Sequence, residues 1–366
     1  MWRKERLPNF ACCPDWTGLG PLGRIGTIGV RRRIAFPVLI VTDVGVTYQM
    51  RLEGKMNIRP RTMRTWLRPA IAAPYVLVAK ATSLPPHKVF RSLTPAEWYW
   101  LNVRGERTFP SLRGYLPAMP PKELQVRFTG GHGENTLREA FSFYRIVSKA
   151  ASSTRPKVAM DFGCGWGRIT RFFIKDFQKD KLFGVDPVSE GIEASRASNP
   201  WATFEEIQLH PPISLPSSSV DLIFAFSVFS HLTELVHLEW IGEFARLLRR
   251  GGTLVVTTRP RDFILECATI RDEEPDPSKI DPLRNYATMG ARAAFLDTER
   301  FLHIYDAGEY CCDPTGAGDN LPPDAYGETC IPLAYAQHQW QPQFSVAEFK
   351  DEGTELKQNV IVAKRT

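Results

Sequence analysis

Three glycines at alternate positions, Gly163, Gly165 and Gly167, follow an acid, Asp161, at the end of the apolar run Val158–Phe162. Residues without a Cβ let a turn take positive φ and let a ligand approach the amides at a helix N-terminus, so this spacing suits a nucleotide-type ligand. The pattern is G-x-G-x-G, one residue short of the G-x-G-x-x-G that cradles a dinucleotide pyrophosphate, which argues against that ligand and against a nicotinamide oxidoreductase. A second acid, Asp186, ends the apolar stretch Lys181–Val185, where a carboxylate can accept both hydroxyls of a ribose. His231 is the third candidate. Its imidazole titrates near neutral pH and could act as a general base or touch an acceptor; beside a helix start it could equally cap or pack.

The elements that must hold these residues follow from the apolar pattern. Val158–Phe162 and Lys181–Asp186 read as strands one βαβ unit apart, with the glycine turn opening the helix between them. Thr203–His210 reads as a third strand and Ser219–Ala225 as a fourth. Leu235–Leu248 repeats apolar residues at helical spacing, Arg249-Arg250-Gly251-Gly252 is expected to end it in a glycine cap, and Thr253–Thr258 is the next strand. Phe344–Phe349 and Gln358–Ala363 flank a polar turn and read as an antiparallel hairpin. Helices are predicted from about Glu134 to Ala151 and from Ala291 to His303.

In that order these pieces resemble the class I S-adenosylmethionine-dependent methyltransferases, over roughly Pro121 to the C-terminus and most specifically between Val158 and Thr258. The likeness is strongest to bacterial small-molecule-type members with a D-F-G-C-G-W-G-R loop and an S-V-F-S-H-L segment. It implies an α/β, Rossmann-like doubly wound sheet with a C-terminal antiparallel strand pair, and S-adenosyl-L-methionine as cofactor. It also implies that Asp161 and the glycine loop hold the methionine end, that Asp186 holds the ribose, and that Pro187 and Val188 flank the adenine. Cys164, Arg168, Phe226 and Ser227 join the implied cofactor-binding set. Cys164 either packs as a small hydrophobe or presents a reactive thiol, and Trp166 either covers the methionine end or packs. Many relatives place an acid after the third strand, where this chain has His210-Pro211-Pro212. The adenine contact then falls to backbone, or to Glu205, Glu206 or Gln208.

Catalysis in such enzymes is mainly positioning, because a sulfonium methyl is already electrophilic and needs an acceptor held in line with it. Ala225-Phe-Ser-Val-Phe-Ser-His231 replaces the Asn/Asp-Pro-Pro-Tyr/Phe motif of base-modifying relatives, which disfavours amino groups of adenine or glutamine. The expected acceptor is a small molecule or glycan-like, methylated on oxygen in preference to nitrogen, with His231 as the catalytic candidate. Glu234, His132, Tyr144, Arg168 and Tyr326 are further lining candidates. Two alternatives stay open, an RNA methyltransferase using a basic arm and a catalytically silent cofactor-binding scaffold; nucleic acid is possible but not favoured.

At 366 residues and 43% hydrophobic content the chain can bury one large core plus an appendage. Charge is uneven: Met1–Pro120 holds 19 Lys and Arg against 6 Asp and Glu, leaving 27 against 34 for the rest. The basic part suits an anionic partner, the acidic domain itself or solvent. We expect residues 1–120 to form a basic, Pro-rich and partly disordered extension. Residues 121–366 would form the methyltransferase domain, with 260–332 as a substrate cap. The basic-then-apolar stretch Arg31–Asp43 is cut short by its acid and lacks a clean cleavage site for a signal peptide. Ile71–Ala81 is too short to span a bilayer, so no transmembrane segment is expected. Met50, Met56 and Met63 are alternative starts. Seven cysteines, with adjacent pairs Cys12-Cys13 and Cys311-Cys312, lack the C-x-x-C spacing of a metal site or disulfide framework, which fits a reducing cytoplasm and no metal. Nothing in the sequence speaks to oligomeric state.

Overall fold

The computed structural model describes residues 33–42, 45–55, 60–272, 290–317, 321–351 and 356–366, with side chains from Arg68 onward. Cys12, Cys13 and Met56 lie outside the described residues. The chain forms two compact units, Met1–Met63 and Arg64–Thr366. In the first, β1 (Arg33–Thr42) and β2 (Gly45–Lys55) pair antiparallel.

The larger unit is built on a seven-stranded sheet of β3 (Ala159–Phe162), β4 (Leu182–Asp186), β5 (Thr203–Glu206), β6 (Val220–Ala225), β7 (Leu248–Thr258), β10 (Phe344–Lys350) and β11 (Asn359–Arg365). Their spatial order is β10-β11-β7-β6-β3-β4-β5. The five strands from β3 to β7 run parallel, and β11 is antiparallel to both β7 and β10. Alternate residues of each central strand enter opposite cores, as period-2 side chains must. Ala159, Phe224 and Val255 join one, while Met160, Ile223 and Leu254 join the other. Helix α5 (Gly133–Ala150) covers the first face with Ala140, Phe143 and Val147. Helix α8 (Glu234–Leu247) covers the second with Trp240, Ile241 and Phe244. Both faces being covered explains why these strands read as unbroken apolar runs. Because β3 has β4 on one side and β6 on the other, strand order reverses there, and the loops after β3, β4 and β6 frame the crevice where open α/β sheets bind ligands.

Residues 64–120, which the sequence reading counted with the N-terminal extension, fold into this larger unit. Helix α3 (Pro95–Thr108) begins in a reciprocal box, Thr94 Oγ1 accepting from the Glu97 N–H and the Glu97 carboxylate accepting from the Thr94 N–H. Its inner face buries Trp98 and Leu101 in the first core, where the Trp98 indole donates to the Phe172 carbonyl at 2.9 Å. The long helix α1 (Pro60–Thr82) adds Ala72, Val76 and Ala79 to that core.

Two local expectations differ from the structure. Helix α8 ends at Leu247 and the chain turns straight into β7 at Leu248, so Gly251 and Gly252 lie in the strand's entry rather than in a helix cap. The expected helix Ala291–His303 is broken at Phe295, where φ is +53°, and a new helix, Thr298–Asp306, is capped by the Asp297 carboxylate. This helix, helix α9 (Asp262–Asp272) and the two-stranded sheet β8 (Cys311–Asp313) with β9 (Glu328–Cys330) share a third core around Phe263, Phe295 and Phe301. Among the described residues no helix is long and apolar enough to cross a membrane.

Candidate functional site

The glycine loop leaves β3 against the end of β4, where the N–H groups of Gly163 and Cys164 both donate to the Val185 carbonyl, at 2.8 and 3.0 Å. Gly163, Gly165 and Gly167 all hold positive φ. A Cβ on Gly163 would stand 2.2 Å from Val228 Cγ2, so the loop after β6 rests directly on this turn. Phe128, at the end of helix α4 (Lys122–Thr129), lies over Gly165, and Arg127 beside it pairs with Glu190 at the start of helix α7 (Ser189–Ser198).

Asp161 sits beneath the loop, almost wholly buried, with Oδ2 accepting from the Thr170 hydroxyl at 2.5 Å. Burial pushes its pKa up to about 7 against the Thr170 bonds, and the nearby Asp186 carboxylate adds to the rise. Cys164 is buried too. Burial and the two carboxylates hold its thiol well above the usual range, which is the packing alternative rather than the reactive one. Trp166 is buried, with its indole N–H unpartnered among the described residues. Arg168 turns toward α5, pairing with Glu139 at 2.5 Å and lying 5.0 Å from the centre of the Phe226 ring.

Asp186 is bound on both oxygens, Oδ2 by the Gly165 N–H at 2.8 Å and Oδ1 by the Val188 N–H at 2.9 Å. Burial outweighs these bonds and pushes its pKa up to about 6. Next to it, Pro187, Val188 and Ser189 face Glu206, Ile207, Gln208 and Leu209 across a cleft of about 190 Å³. Of the three side chains considered for an adenine contact, Glu206 and Gln208 line this cleft and Glu205 does not.

On the other side of β3, Ser227 holds φ of +58°. Its N–H donates to Thr257 Oγ1 at 2.7 Å, and its hydroxyl accepts from Gln358 Nε2 at 2.9 Å; the Thr257 hydroxyl donates to Gln358 Oε1 at 2.6 Å. Thr257 of β7 and Gln358, just ahead of β11, thus fix one strained residue. His231 follows, and the segment entering β9 runs alongside it: the Gly327 N–H donates to the His231 carbonyl at 2.7 Å and the Thr329 N–H to Ser230 at 2.8 Å. The Gly327 carbonyl accepts from His231 Nδ1 at 3.0 Å, which assigns the ring proton to Nδ1 and leaves Nε2 with its lone pair. Glu328 Oε1 is 3.6 Å from Nδ1, and Glu328 Oε2 accepts from Arg259 Nε at 3.1 Å. Burial draws the His231 pKa below its usual value; Glu328 opposes that and Arg259 adds to it.

Tyr326 is therefore brought to His231, whereas Tyr144 donates to Asp176 in the first core and Glu234 accepts from Tyr335. His132 occupies the capping position of α5 without a side-chain cap bond. The sequence reading missed Gly327, Glu328, Arg259, Thr257 and Gln358. Only the neighbouring candidate Tyr326 pointed toward them, and the Gly327 carbonyl that meets His231 is 96 positions away in the chain.

Residues 159–252 match the family model for a methyltransferase domain. Over these residues the chain carries a methyltransferase domain. An uncharacterized methyltransferase of Anoxybacillus flavithermus is 28% identical over 125 residues, covering 34% of this chain and 57% of that protein. A trans-aconitate 2-methyltransferase of Rhizobium rhizogenes is 32% identical over 118 residues, covering 31% of this chain and 44% of that protein. The chain thus spans about half the length of these curated relatives. The solved structure of an S-adenosylmethionine-dependent methyltransferase from Clostridium acetobutylicum covers 62% of this chain and 91% of its own, with a TM-score of 0.41 and 10% identity. Among the described residues no three His, Cys, Asp or Glu side chains of the methyltransferase domain converge as metal ligands would.

Proposed function

We propose that this protein transfers the methyl group of S-adenosyl-L-methionine to an oxygen of a small-molecule acceptor, with His231 as general base. The observation that carries this reading is the Nδ1 bond to the Gly327 carbonyl, which leaves a neutral imidazole with Nε2 free to take a proton.

The residues present suit the cofactor. Positive-φ glycines shape the loop, the Asp186 carboxylate directly precedes Pro187 and Val188 of the cleft, and an indole N–H of the loop has no partner among the described residues. In this reading Asp186 accepts the ribose hydroxyls, Pro187 and Val188 flank the adenine, and Glu206 or Gln208 meets its edge. The glycine loop from Gly163 to Gly167 faces the methionine end. Asp161 and Arg168 work indirectly, Asp161 by fixing the loop through Thr170 and Arg168 by tying it to α5, and Cys164 fills space below. Phe226 and Ser227 form the floor. The described residues between 260 and 332 cap the acceptor side. The cofactor supplies an electrophilic methyl on a sulfonium; the chain supplies orientation and a site for the departing proton. As an acceptor hydroxyl oxygen attacks, His231 Nε2 receives its proton while the Gly327 carbonyl steadies the resulting imidazolium through Nδ1–H.

The trans-aconitate 2-methyltransferase relatives favour a second reading, a carboxylate acceptor, which carries no proton to remove. Labelled methyl transfer to a panel of hydroxylated compounds and of carboxylic acids, trans-aconitate included, separates the two. An alkali-stable ether whose formation falls about 10²-fold or more in His231→Gln supports the base reading. An alkali-labile ester formed equally well by that variant replaces it with the second. Calorimetry with S-adenosylhomocysteine tests the cofactor assignment, and an Asp186→Ala chain that binds as tightly as wild type would end the ribose role.

A further inference from the structure

We propose that Glu328 is a positioning residue which, balanced by Arg259, sets the charge of His231. The proposal rests on the reading of His231 as the base and adds the means by which the segment entering β9 prepares it.

The Glu328 carboxylate is shared. Oε2 accepts from Arg259 Nε at 3.1 Å, while Oε1 lies 3.6 Å from His231 Nδ1, both side chains of the Glu328–His231 pair being about nine-tenths buried. A carboxylate this close favours the imidazolium, and a guanidinium on its other oxygen weakens that pull. Arg259 is itself held, its guanidinium 4.2 Å over the Phe263 ring and its backbone N–H on the Thr329 carbonyl at 3.3 Å, so the three groups keep their order across two elements. Of the charged groups, only Glu328 and Arg259 act on His231 itself; Arg271, Glu266 and Asp313 act on the thiols beyond it. Burial pushes up the thiols of Cys267, Cys312 and Cys330 and the phenol of Tyr326, and the only further carboxylate acting on that phenol is Asp186. His231 thus faces one anion and one cation that bear on it in opposite senses. Had the carboxylate alone been present, the imidazole would be held protonated and useless as a base; had the cation alone been present, it would be a poor proton acceptor.

The test uses the full chain with its histidines labelled with ¹³C at Cε1, titrated by NMR, the His231 resonance being identified by its loss in His231→Gln. Glu328→Gln should move the His231 midpoint down by about one pH unit, and Arg259→Gln should move it up by a smaller amount. Glu328→Asp should restore part of the wild-type value. Unmoved midpoints in both variants, or shifts of the same sign, overturn the proposal; unshifted resonances of the remaining histidines show that the fold is intact. If Glu328→Gln does not fold, Arg259→Gln alone decides, since its upward shift has no other source here. Methyl transfer by His231→Gln is scored separately. Full activity there ends the base reading whatever the titration shows, and opposite midpoint shifts still establish the electrostatic coupling.

Discussion

The imidazole of His231 lies flat on the phenol ring of Tyr326, with 4.7 Å between ring centres and 6° between planes. The stack fixes the ring plane and the Gly327 carbonyl fixes its rotation within that plane, so Nε2 has one direction left. Tyr326→Phe keeps the stacking face and should leave turnover within about twofold of wild type. Tyr326→Ala should lower kcat about tenfold or more with little change in cofactor affinity, since lost orientation of a catalytic group acts on rate. Steady-state methyl transfer and calorimetry on the same preparations check both; an unchanged kcat in Tyr326→Ala would mean the stack only packs.

Gly163 joins the two halves of the crevice. A methyl there meets Val228 Cγ2 at 2.2 Å, and φ of +73° strains any L side chain. Gly163→Ala should destabilise the fold by about 1–3 kcal/mol. Adding Val228→Ala removes the collision and leaves the strain, so the double variant should regain part of the loss. Urea unfolding of the three chains measures this, and a single variant as stable as wild type would show that the two loops separate freely.

The buried carboxyls make stability depend on pH. Asp161 and Asp186 are pushed up to about 7 and about 6, from roughly 4 in an unfolded chain. Between those values the folded state keeps protons that the unfolded state has released. Their contribution is therefore complete below about pH 4 and is lost as pH rises through about 6 to 7. His237, drawn down to about 3 by burial, and His231, lowered as well, act in the opposite sense, their part growing as pH rises toward about 6.5. A difference between two proteins isolates one group. Asp161→Asn keeps an acceptor for the Thr170 hydroxyl and cannot titrate. Relative to wild type its stability should improve as pH rises from about 4 to about 7, by at most about 1.4 kcal/mol per unit. Parallel stability curves would show that Asp161 is ionised normally.

What could be read from sequence was local. Strand β3, the glycine turn and β4 declare themselves because each is a short apolar run or a residue type with one backbone use. The closing pair β10 and β11 is legible for the same reason. The partners of His231 were hidden, since Gly327 and Glu328 reach it only when β9 folds back along the loop after β6, and no period in either segment records that pairing. The break at Phe295 was hidden too, because a non-glycine residue at positive φ follows from packing in the third core and not from propensity. Composition misled at residues 64–120, where prolines and basic residues suggested an arm. Pro95 stands at a helix start, where a missing N–H costs nothing, and the arginines of that stretch leave an apolar inner face intact.

That inner face gives a prediction about where the chain can be cut. A chain beginning at Arg64 keeps Phe90, Trp98, Leu101 and Leu112 in the first core and should fold and bind S-adenosylhomocysteine as the full chain does. One beginning at Pro121 loses all four, together with the Tyr99 ring against Phe141 and the Trp98 bond to the Phe172 carbonyl. Burial of each large apolar side chain contributes about 1.5–3 kcal/mol, so four together approach the whole stability of an ordinary domain, about 5–15 kcal/mol. The shorter chain should therefore aggregate or melt well below the longer one, as thermal unfolding followed by circular dichroism and light scattering would show. Equal stability of the two would put the domain's edge at Pro120 after all; insolubility of the Arg64 chain would show that Met1–Met63 is needed for folding.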